Sequence, residues 1–426
     1  MSTRSTPSKT MNKLDVPEKA VDRVLAYMPP EIFHEITDWI DSPGDLRAFT
    51  LTCRLFAAIA SPRHTQLRSL RCPVMALCVW EALAADVALA RNVRHLDIQD
   101  SPCPGGGWHL PALLCKASPD CWHCSRHDSA NNRKMWERVE KPMVAALTNM
   151  SSLLSLKWKS HLYKFPLDPK NDRDDIWTAL RSCSSMTALS VKEGDFGEIF
   201  HCTNIFSLSN LTFFEYETET FGFEGLPSDG KALGVMLRDR CPKLQTLKLR
   251  FPNSILEGYP PPLFGTSVLS GRWPDLEHVQ LECVACHPEE ASSFLAAHPN
   301  IRFLEVDEFF SCRQFAGMEI YDLTDKDLVE LPLTLPPAVL PKLCTLRCAP
   351  GHAADILAAM KMPGIGTPRP HLTVTLTNFH PWHPRMRGLC MVGILTDTET
   401  ITFNANDYVR GLIASAGSSA NEGTEL

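Results

Sequence analysis

The chain has 426 residues, a length that suggests two or three domains, and its hydrophobic content of 44% is ample for a core. The net charge of −7 argues against a general nucleic-acid binder, because phosphate recognition relies on clustered lysine and arginine. No secretory signal opens the chain, and no uncharged apolar run reaches the roughly eighteen residues of a membrane helix. We therefore expect an intracellular protein, cytoplasmic or nuclear, whose 16 cysteines are reduced.

Residues 28–62 have the pattern of three short helices. Pro29 and Pro30 suit a helix start, because the first turn needs no N–H donor from proline. Ser42 can cap a second helix, and Pro62 ends the last one. The apolar residues recur every three or four positions, first as Ile32, Phe33, Ile36 and Ile40 opposite Glu31, Glu35 and Asp38, and then as Leu46, Phe49, Cys53, Phe56 and Ile59.

This helical stretch resembles an F-box, the module that docks a substrate receptor onto the Skp-type adaptor of a cullin–RING ubiquitin ligase. Three motifs carry the resemblance: Pro-Glu-Ile at 30–32, Pro-Gly-Asp-Leu at 43–46 and Cys-Arg-x-Phe at 53–56. Met28 stands where the family usually has leucine, and Phe56 where it often has tryptophan. The resemblance implies an adaptor-binding set of Pro29, Glu31, Ile32, Ile36, Ile40, Leu46, Phe49, Cys53 and Phe56. The alternative is an ordinary three-helix start to a globular domain.

Beyond the helical stretch, the pattern apolar-x-x-apolar-x-apolar recurs nine times, beginning at residues 67, 93, 153, 186, 211, 244, 276, 301 and 343. A weaker copy lies at Ile401 and Phe403. The last two apolar residues of each copy alternate with a polar position, which predicts a strand with one buried face. Amphipathic segments between copies predict helices, most clearly at Pro73–Ala90 and Met135–Leu147.

Strands and helices that alternate at this spacing resemble an irregular leucine-rich-repeat solenoid. The fold class that we predict is α/β: a short all-helical F-box, then a curved parallel sheet with helices outside. The predicted domains are a flexible arm at 1–22, the F-box module at 23–64, the repeat domain at 65–410 with an insertion at about 100–133, and a flexible tail at 411–426. The alternative is that a leucine-rich chain produces such copies by chance.

In such a sheet the residues that alternate with the buried ones share the opposite face. Charged and aromatic side chains dominate these positions, and exposed aromatics among charges are favoured at protein interfaces. We predict that this face binds the substrate protein; the alternative is a solvated face without a partner. The predicted substrate-binding residues are Lys157, Lys159, Phe213, Glu215, Lys248, Arg250, Glu282, Phe303, Glu305 and Asp307.

The insertion contains a Cys-x-x-Cys pair at Cys121 and Cys124, a spacing that suits zinc, and Cys115 or His127 could complete such a site. No second matched pair follows at a familiar distance. We therefore favour a cysteine-bearing surface loop and predict neither a metal nor another cofactor. We also find no phosphate-binding loop or nucleophile motif, so the sequence supports no catalytic site.

The resemblance therefore implies a non-catalytic substrate receptor of a ubiquitin ligase. Its expected partners are a Skp-type adaptor, through it a cullin scaffold, and a protein substrate, without nucleic acid or membrane. Two rival functions remain: a repeat scaffold that never joins a ligase, and a binding protein that depends on metal in the Cys121 region.

Overall fold

The computed structural model divides the chain into two compact units, residues 1–68 and residues 69–426. The residues that it describes are 28–99, 110–111, 114, 132–160, 175–193, 202–217, 230–251, 265–282, 284–306, 309–311, 333–348, 350–360, 372–376 and 403–404. The predicted arm at 1–22, the tail at 411–426 and most of the insertion at 100–133 lie outside the described residues.

The described residues of the first unit form three helices, α1 (Pro30–Asp38), α2 (Pro43–Thr52) and α3 (Arg54–Ala60), followed by a π-helical turn at Ser61–Thr65. Ser42 caps α2, since its Oγ accepts a hydrogen bond from the Asp45 N–H at 3.3 Å. Cys53 separates α2 from α3 by taking an extended conformation, and its Sγ accepts from the Phe56 N–H at 3.4 Å. The apolar series from Leu46 to Ile59 therefore spans two helices.

The core of this unit is an aromatic cluster. The ring of Phe56 lies 5.0 Å from that of Phe33 and stacks on Phe49 at 4.2 Å between centroids. Phe33 and Thr37 form the buried face of α1, whereas Ile32 and Ile36, predicted to share the face of Phe33, are exposed. Consecutive helical residues point about 100° apart, and the inward side of this helix is centred on Phe33 and Thr37, so Ile32 lies outside it.

A polar cluster holds the end of α1 against the segment that follows α3. The buried Thr37 hydroxyl donates to the Phe33 carbonyl at 2.9 Å, and the buried Arg68 guanidinium donates to the Thr37 carbonyl. His34 Nδ1 and His64 Nε2 share a hydrogen bond at 3.0 Å. Buried polar groups that satisfy one another fix a single packing arrangement, so α1 has a defined orientation within the unit.

The second unit is built on one main sheet. Its strands are β1 (Ser69–Pro73), β2 (His95–Gln99), β3 (Ser155–Ser160), β4 (Ala188–Glu193), β5 (Phe213–Glu217), β6 (Thr246–Arg250), β7 (His278–Glu282), β9 (Phe303–Val306), β11 (Thr345–Cys348), β12 (Thr373–Leu376) and β13 (Phe403–Asn404). They lie in the order β1-β2-β3-β4-β5-β6-β7-β9-β11-β12-β13 and are parallel, except that β13 joins antiparallel to β12. A separate parallel pair joins β8 (Val284–Cys286) to β10 (Phe309–Ser311).

Each of the nine sequence copies supplies one strand of this sheet, so the predicted α/β class with a parallel sheet is confirmed. The sequence pattern misses β12, Thr-Val-Thr-Leu, because His371 stands where the other copies carry their first apolar residue. The weak copy at Ile401 and Phe403 corresponds to β13, which runs antiparallel and therefore does not continue the parallel series.

Helical segments connect the strands and pack against one another in chain order. Pro73 belongs to β1, and the predicted helix Pro73–Ala90 is two helices, because Asp86 interrupts it and caps the second by accepting from the Leu89 N–H at 3.0 Å. The predicted helix Met135–Leu147 lies inside α6. The helices are α4 (Leu77–Ala85), α5 (Val87–Arg91), α6 (Asn132–Asn149), α7 (Asp175–Arg181), α8 (Lys231–Val235), α9 (Pro288–Ala297) and α10 (Pro350–Ala359), with shorter turns at Cys202–Ser207, Met236–Arg240 and Gly265–Leu269.

Two ladders of buried apolar side chains run across the parallel strands in constant register. A slip of one residue would exchange the buried and exposed faces, so these side chains specify the strand pairing. The first ladder is Leu70, Leu96, Leu156, Leu189, Phe214, Leu247, Val279, Leu304, Leu346 and Val374; the second is Cys72, Ile98, Trp158, Val191, Tyr216, Leu249, Leu281, Val306 and Cys348.

Phe214→Ala should destabilise the second unit by about 3–5 kcal/mol, because it opens a cavity in the first ladder. Phe213→Ala is the matched control: Phe213 is adjacent in sequence but lies on the opposite face, half-buried, and its loss should cost less than about 1.5 kcal/mol. Urea unfolding of both variants measures the difference. Equal losses would contradict the assignment of the two faces.

His298 makes the stability of this unit depend on pH. The ring is buried; its Nδ1 donates to the Phe294 carbonyl at 2.6 Å, and its Nε2 accepts from the Trp273 N–H at 3.0 Å. Burial lowers the pKa of His298, so the folded state resists a proton that the unfolded chain takes up below about pH 6.5. Stability from this site is fully present above that pH and is lost as the pH falls.

His298→Gln should therefore show a smaller fall in unfolding midpoint between about pH 7 and pH 5 than the wild type, since glutamine does not titrate. Thermal unfolding at both pH values provides the measurement. His278→Gln, which replaces a histidine at an exposed position, is the matched control variant. An unchanged fall in His298→Gln would show that other groups cause the acid sensitivity.

Candidate functional site

The first unit concentrates exposed apolar side chains. Among the described residues six large hydrophobic side chains are exposed, and five of them lie between Pro30 and Ala60. Apolar surface gathered in a unit this small is typical of a protein-interaction site. The five are Ile32 (39% exposed), Ile36 (39%), Trp39 (87%), Leu51 (77%) and Leu55 (39%), and the sixth is Val87 (44%) in the second unit.

Three of these residues form what we call the apolar stripe: Ile32 and Ile36 on α1 and Trp39 directly after it. Their spacing of four and three residues places them on one side of the helix. The neighbouring side carries exposed carboxylates at Glu31 and Glu35. The stripe therefore offers an apolar surface with an acidic border.

The residues expected to contact an adaptor occupy three environments. Pro29, Glu31, Ile32 and Ile36 are exposed, and Ile40, Phe49, Cys53 and Phe56 are partly buried. Leu46 is buried in the core, so its role in this structure is packing, and a direct contact with a partner is not open to it. The sequence analysis missed Trp39, Leu51 and Leu55. Of these, Trp39 carried a signal, because it follows Ile36 at helical spacing.

The second candidate surface is the face of the sheet opposite the buried ladders, which we call the polar face. Nine of the ten residues predicted to bind substrate lie on it, and Asp307 lies outside the described residues. The strands place them in register: Lys157 and Lys159 on β3, Phe213 and Glu215 on β5, Lys248 and Arg250 on β6, Glu282 on β7, and Phe303 and Glu305 on β9.

Many charges on the polar face pair with one another across the strands. Arg250 bridges two carboxylates, Glu217 at 3.1 Å and Glu282 at 2.6 Å, and Lys192 lies 2.5 Å from the same Glu217 oxygen that Arg250 contacts. These four residues are successive neighbours in one row of the sheet. The centre of the face is therefore close to neutral.

Similar ion pairs lie on either side of this central row. Arg71 lies 2.9 Å from Asp97 between β1 and β2, and Arg347 lies 3.2 Å from Glu305 between β11 and β9. These ion-pair partners could not be predicted from the sequence, because the register between the strands decides which charges meet.

Glu215 sits in the most basic part of the polar face. Burial opposes its ionisation, but a hydrogen bond from the Ser190 hydroxyl at 2.5 Å and the charges of Lys192, Lys248 and Lys157 hold its pKa below the usual value. Glu215 is therefore ionised at neutral pH.

Two aromatic contacts line the edge of the polar face where the strands begin. The ammonium group of Lys248 lies 5.6 Å from the ring centroid of Phe213, a cation–π contact. The rings of His278 and Phe303 stack with centroids 5.9 Å apart. These contacts hold aromatic side chains in place on a surface that is otherwise charged.

The structure offers no support for metal or thiol chemistry within the residues that it describes. Cys115, Cys121, Cys124 and His127 lie outside them, and the described part of the chain contains no cluster of three histidine, cysteine or acidic side chains placed to hold a metal. Burial raises the pKa of Cys183 to about 11, so this thiol is protonated at neutral pH.

No protein-family model matches the sequence, and no curated protein matches it. In the part of the chain that the structure describes, no helix combines the length and the apolar character needed to cross a membrane. The apolar stripe and the polar face are therefore the features of this chain that bear on its function.

Arg250→Met should lower the free energy of unfolding by about 1–2 kcal/mol, because it leaves Glu217 and Glu282 without the guanidinium between them. Arg347→Met is the control, since the Arg347 side chain is 51% exposed against 31% for Arg250 and solvent screens its pair with Glu305. Urea unfolding at low and high salt compares them. Equal losses would mean that the central row adds no more than an exposed ion pair.

Proposed function

We propose that this chain is the substrate-recognition subunit of a Skp/cullin/F-box-type ubiquitin ligase. The first unit would dock onto the adaptor, and the second would hold the substrate protein. The single observation that carries the proposal is the concentration of exposed apolar side chains in the three described helices of the first unit, whose sequence resembles an F-box.

The positions of the F-box-like motifs support the adaptor-binding role. Pro-Glu-Ile at 30–32 begins α1, and Pro-Gly-Asp-Leu at 43–46 begins α2 directly after its cap Ser42. Cys-Arg-x-Phe at 53–56 forms the junction of α2 and α3, where Cys53 caps α3. Each motif thus lies at a helix start, where its residue types have a physical reason to occur.

The apolar stripe and its acidic border suit a partner with an apolar groove flanked by basic groups. Burial of Ile32, Ile36 and Trp39 would supply affinity, at roughly 25 cal/mol for each Å² removed from water. Charge complementarity with Glu31 and Glu35 would mainly set orientation and association rate.

The second unit supports a leucine-rich-repeat-like receptor domain. Its strands follow the sequence copies, pair in constant register and bury one face, which leaves the other face for binding. A receptor of this kind acts by proximity: it holds the substrate near the ubiquitin-charged enzyme, so that transfer becomes effectively intramolecular. Its own contribution is binding at two surfaces.

Co-expression with a Skp-type adaptor, followed by size-exclusion chromatography, tests the proposal. The wild type should co-elute with the adaptor, and Ile36→Asp should weaken the complex by about 2 kcal/mol, roughly thirtyfold, by placing a charge in an apolar interface. Because Ile36 is exposed, the variant should keep the wild-type unfolding midpoint.

Ala48→Asp is the matched control, since it adds the same charge at an exposed position of α2 outside the apolar stripe. It should retain co-elution. Absence of co-elution from folded wild type would reject the ligase function and leave a ligase-independent repeat scaffold. Equal binding by wild type and Ile36→Asp would show that the apolar stripe is not the docking surface.

A further inference from the structure

The polar face is not uniform, because its charges are satisfied to different degrees. From β4 to β7 the row Lys192, Glu217, Arg250 and Glu282 pairs internally, with separations between 2.5 and 3.1 Å. A ligand gains little by competing for such pairs, since it would have to break them. A charged ligand should therefore be recognised outside this row.

β3 carries two lysines, Lys157 and Lys159, that form no salt bridge with another described residue, although the charge of Lys157 acts on Glu215. Lys157 and Lys159 are both exposed, two residues apart on one side of the strand. The acid next to Lys157 in register is Asp97, which is held by Arg71 at 2.9 Å and by the Gln99 amide at 2.9 Å. The nearest carboxylate on that side is thus already engaged.

The neighbours of Lys159 in register offer it no opposite charge. Its register partners are Gln99 on β2 and Lys192 on β4, and like charges opposite each other are destabilising. Lys192 directs its ammonium group to Glu217, and across the described residues no ion pair or hydrogen bond engages Lys159. An anion from another molecule would relieve this arrangement.

A small apolar area of the polar face lies beside the two lysines. Along the row where the strands begin, the small side chains Ser155 and Ala188 precede the ring of Phe213. Strands lie about 4.8 Å apart, so Phe213 stands about 10 Å from β3, within reach of one extended segment. We call Lys157, Lys159, Ala188 and Phe213 the β3–β5 patch.

We propose that the β3–β5 patch binds an acidic, extended segment of a partner protein. Carboxylates of the segment would contact Lys157 and Lys159, and an apolar side chain would pack on Ala188 against Phe213. This inference rests on the proposed function, for which it identifies the class of substrate: proteins that display an acidic segment with an apolar residue nearby.

Two observations favour a peptide over single-stranded nucleic acid. The chain carries a net charge of −7, which opposes long-range attraction of a polyanion. Lys248 lies over the ring of Phe213 at 5.6 Å, where a stacked base would have to sit. An aliphatic or aromatic side chain approaching across Ala188 leaves this contact intact.

Fluorescence anisotropy of purified full-length protein with labelled synthetic peptides tests the proposal without the adaptor. The probes are extended peptides of about eight residues in which Glu alternates with Phe, with matched peptides carrying Gln or Lys in place of Glu, and a single-stranded RNA of similar length. The Glu peptide should bind best, and its affinity should fall as salt rises from about 0.05 to 0.5 M.

The double variant Lys157→Glu with Lys159→Glu should bind the Glu peptide at least about tenfold more weakly than the wild type, because two attractive charges become repulsive. Lys141→Glu with Lys243→Glu makes the same change in net charge at exposed positions off the polar face and should have little effect. The Phe213→Ala variant should bind the Glu–Phe peptide no more tightly than the wild type binds a control peptide in which Ser replaces each Phe. Unfolding midpoints of all variants confirm that each is folded.

Equal affinity for Glu and Gln peptides, an unaffected double Lys157→Glu and Lys159→Glu variant, or tighter binding of RNA than of the Glu peptide would each overturn the inference. The two proposals fail separately. Peptide binding without adaptor co-elution would support the patch and reject the ligase function, whereas adaptor co-elution with no acidic-peptide binding would reject the patch alone.

Discussion

The constant register of the two buried ladders is the constraint on which the second unit depends. Once Leu156 and Trp158 face inward, the pleat forces Lys157 and Lys159 outward, and the same holds on every strand. Burial on one face therefore decides the order of charges on the other. Lys192, Glu217, Arg250 and Glu282 form one row because the register that aligns the buried residues of the four strands also aligns these charges.

This dependence explains what the sequence could and could not predict. Strands of the sheet were predictable because each copy carries apolar residues two apart, a local signal with one interpretation. Charge pairing was not, since Arg250 meets Glu217 and Glu282 only after three copies separated by irregular connections are aligned. The break at Asp86 carried a local signal that was missed, since aspartate is a favoured N-cap. The strand Thr373–Leu376 was missed because His371 stands where the other copies carry their first apolar residue.

In the first unit the sequence identified the apolar residues of α1 but not their division between core and surface. Helical geometry lets only one side pack inward, and the structure fills that side with Phe33 and Thr37, a polar residue that becomes acceptable because its hydroxyl donates to the Phe33 carbonyl. Ile32 and Ile36 are displaced to the surface as a result. Exposed apolar area is unfavourable in an isolated unit, so its presence there is itself an argument for a partner.

In the proposed receptor the two surfaces would recognise their partners by different physical means. On α1 the polar cluster of Thr37, His64 and Arg68 anchors one side of the helix, so the neighbouring side presents Ile32 and Ile36 at fixed positions, as an apolar interface requires. On the sheet, internal ion pairs neutralise the row from Lys192 to Glu282, whereas Lys157 and Lys159 on β3 form no salt bridge with another described residue. The proposed β3–β5 patch would therefore discriminate by position. A ligand would be favoured where its carboxylates reach Lys157 and Lys159 while an apolar group reaches Phe213, and this joint requirement would distinguish one segment of a substrate from acidic sequence in general.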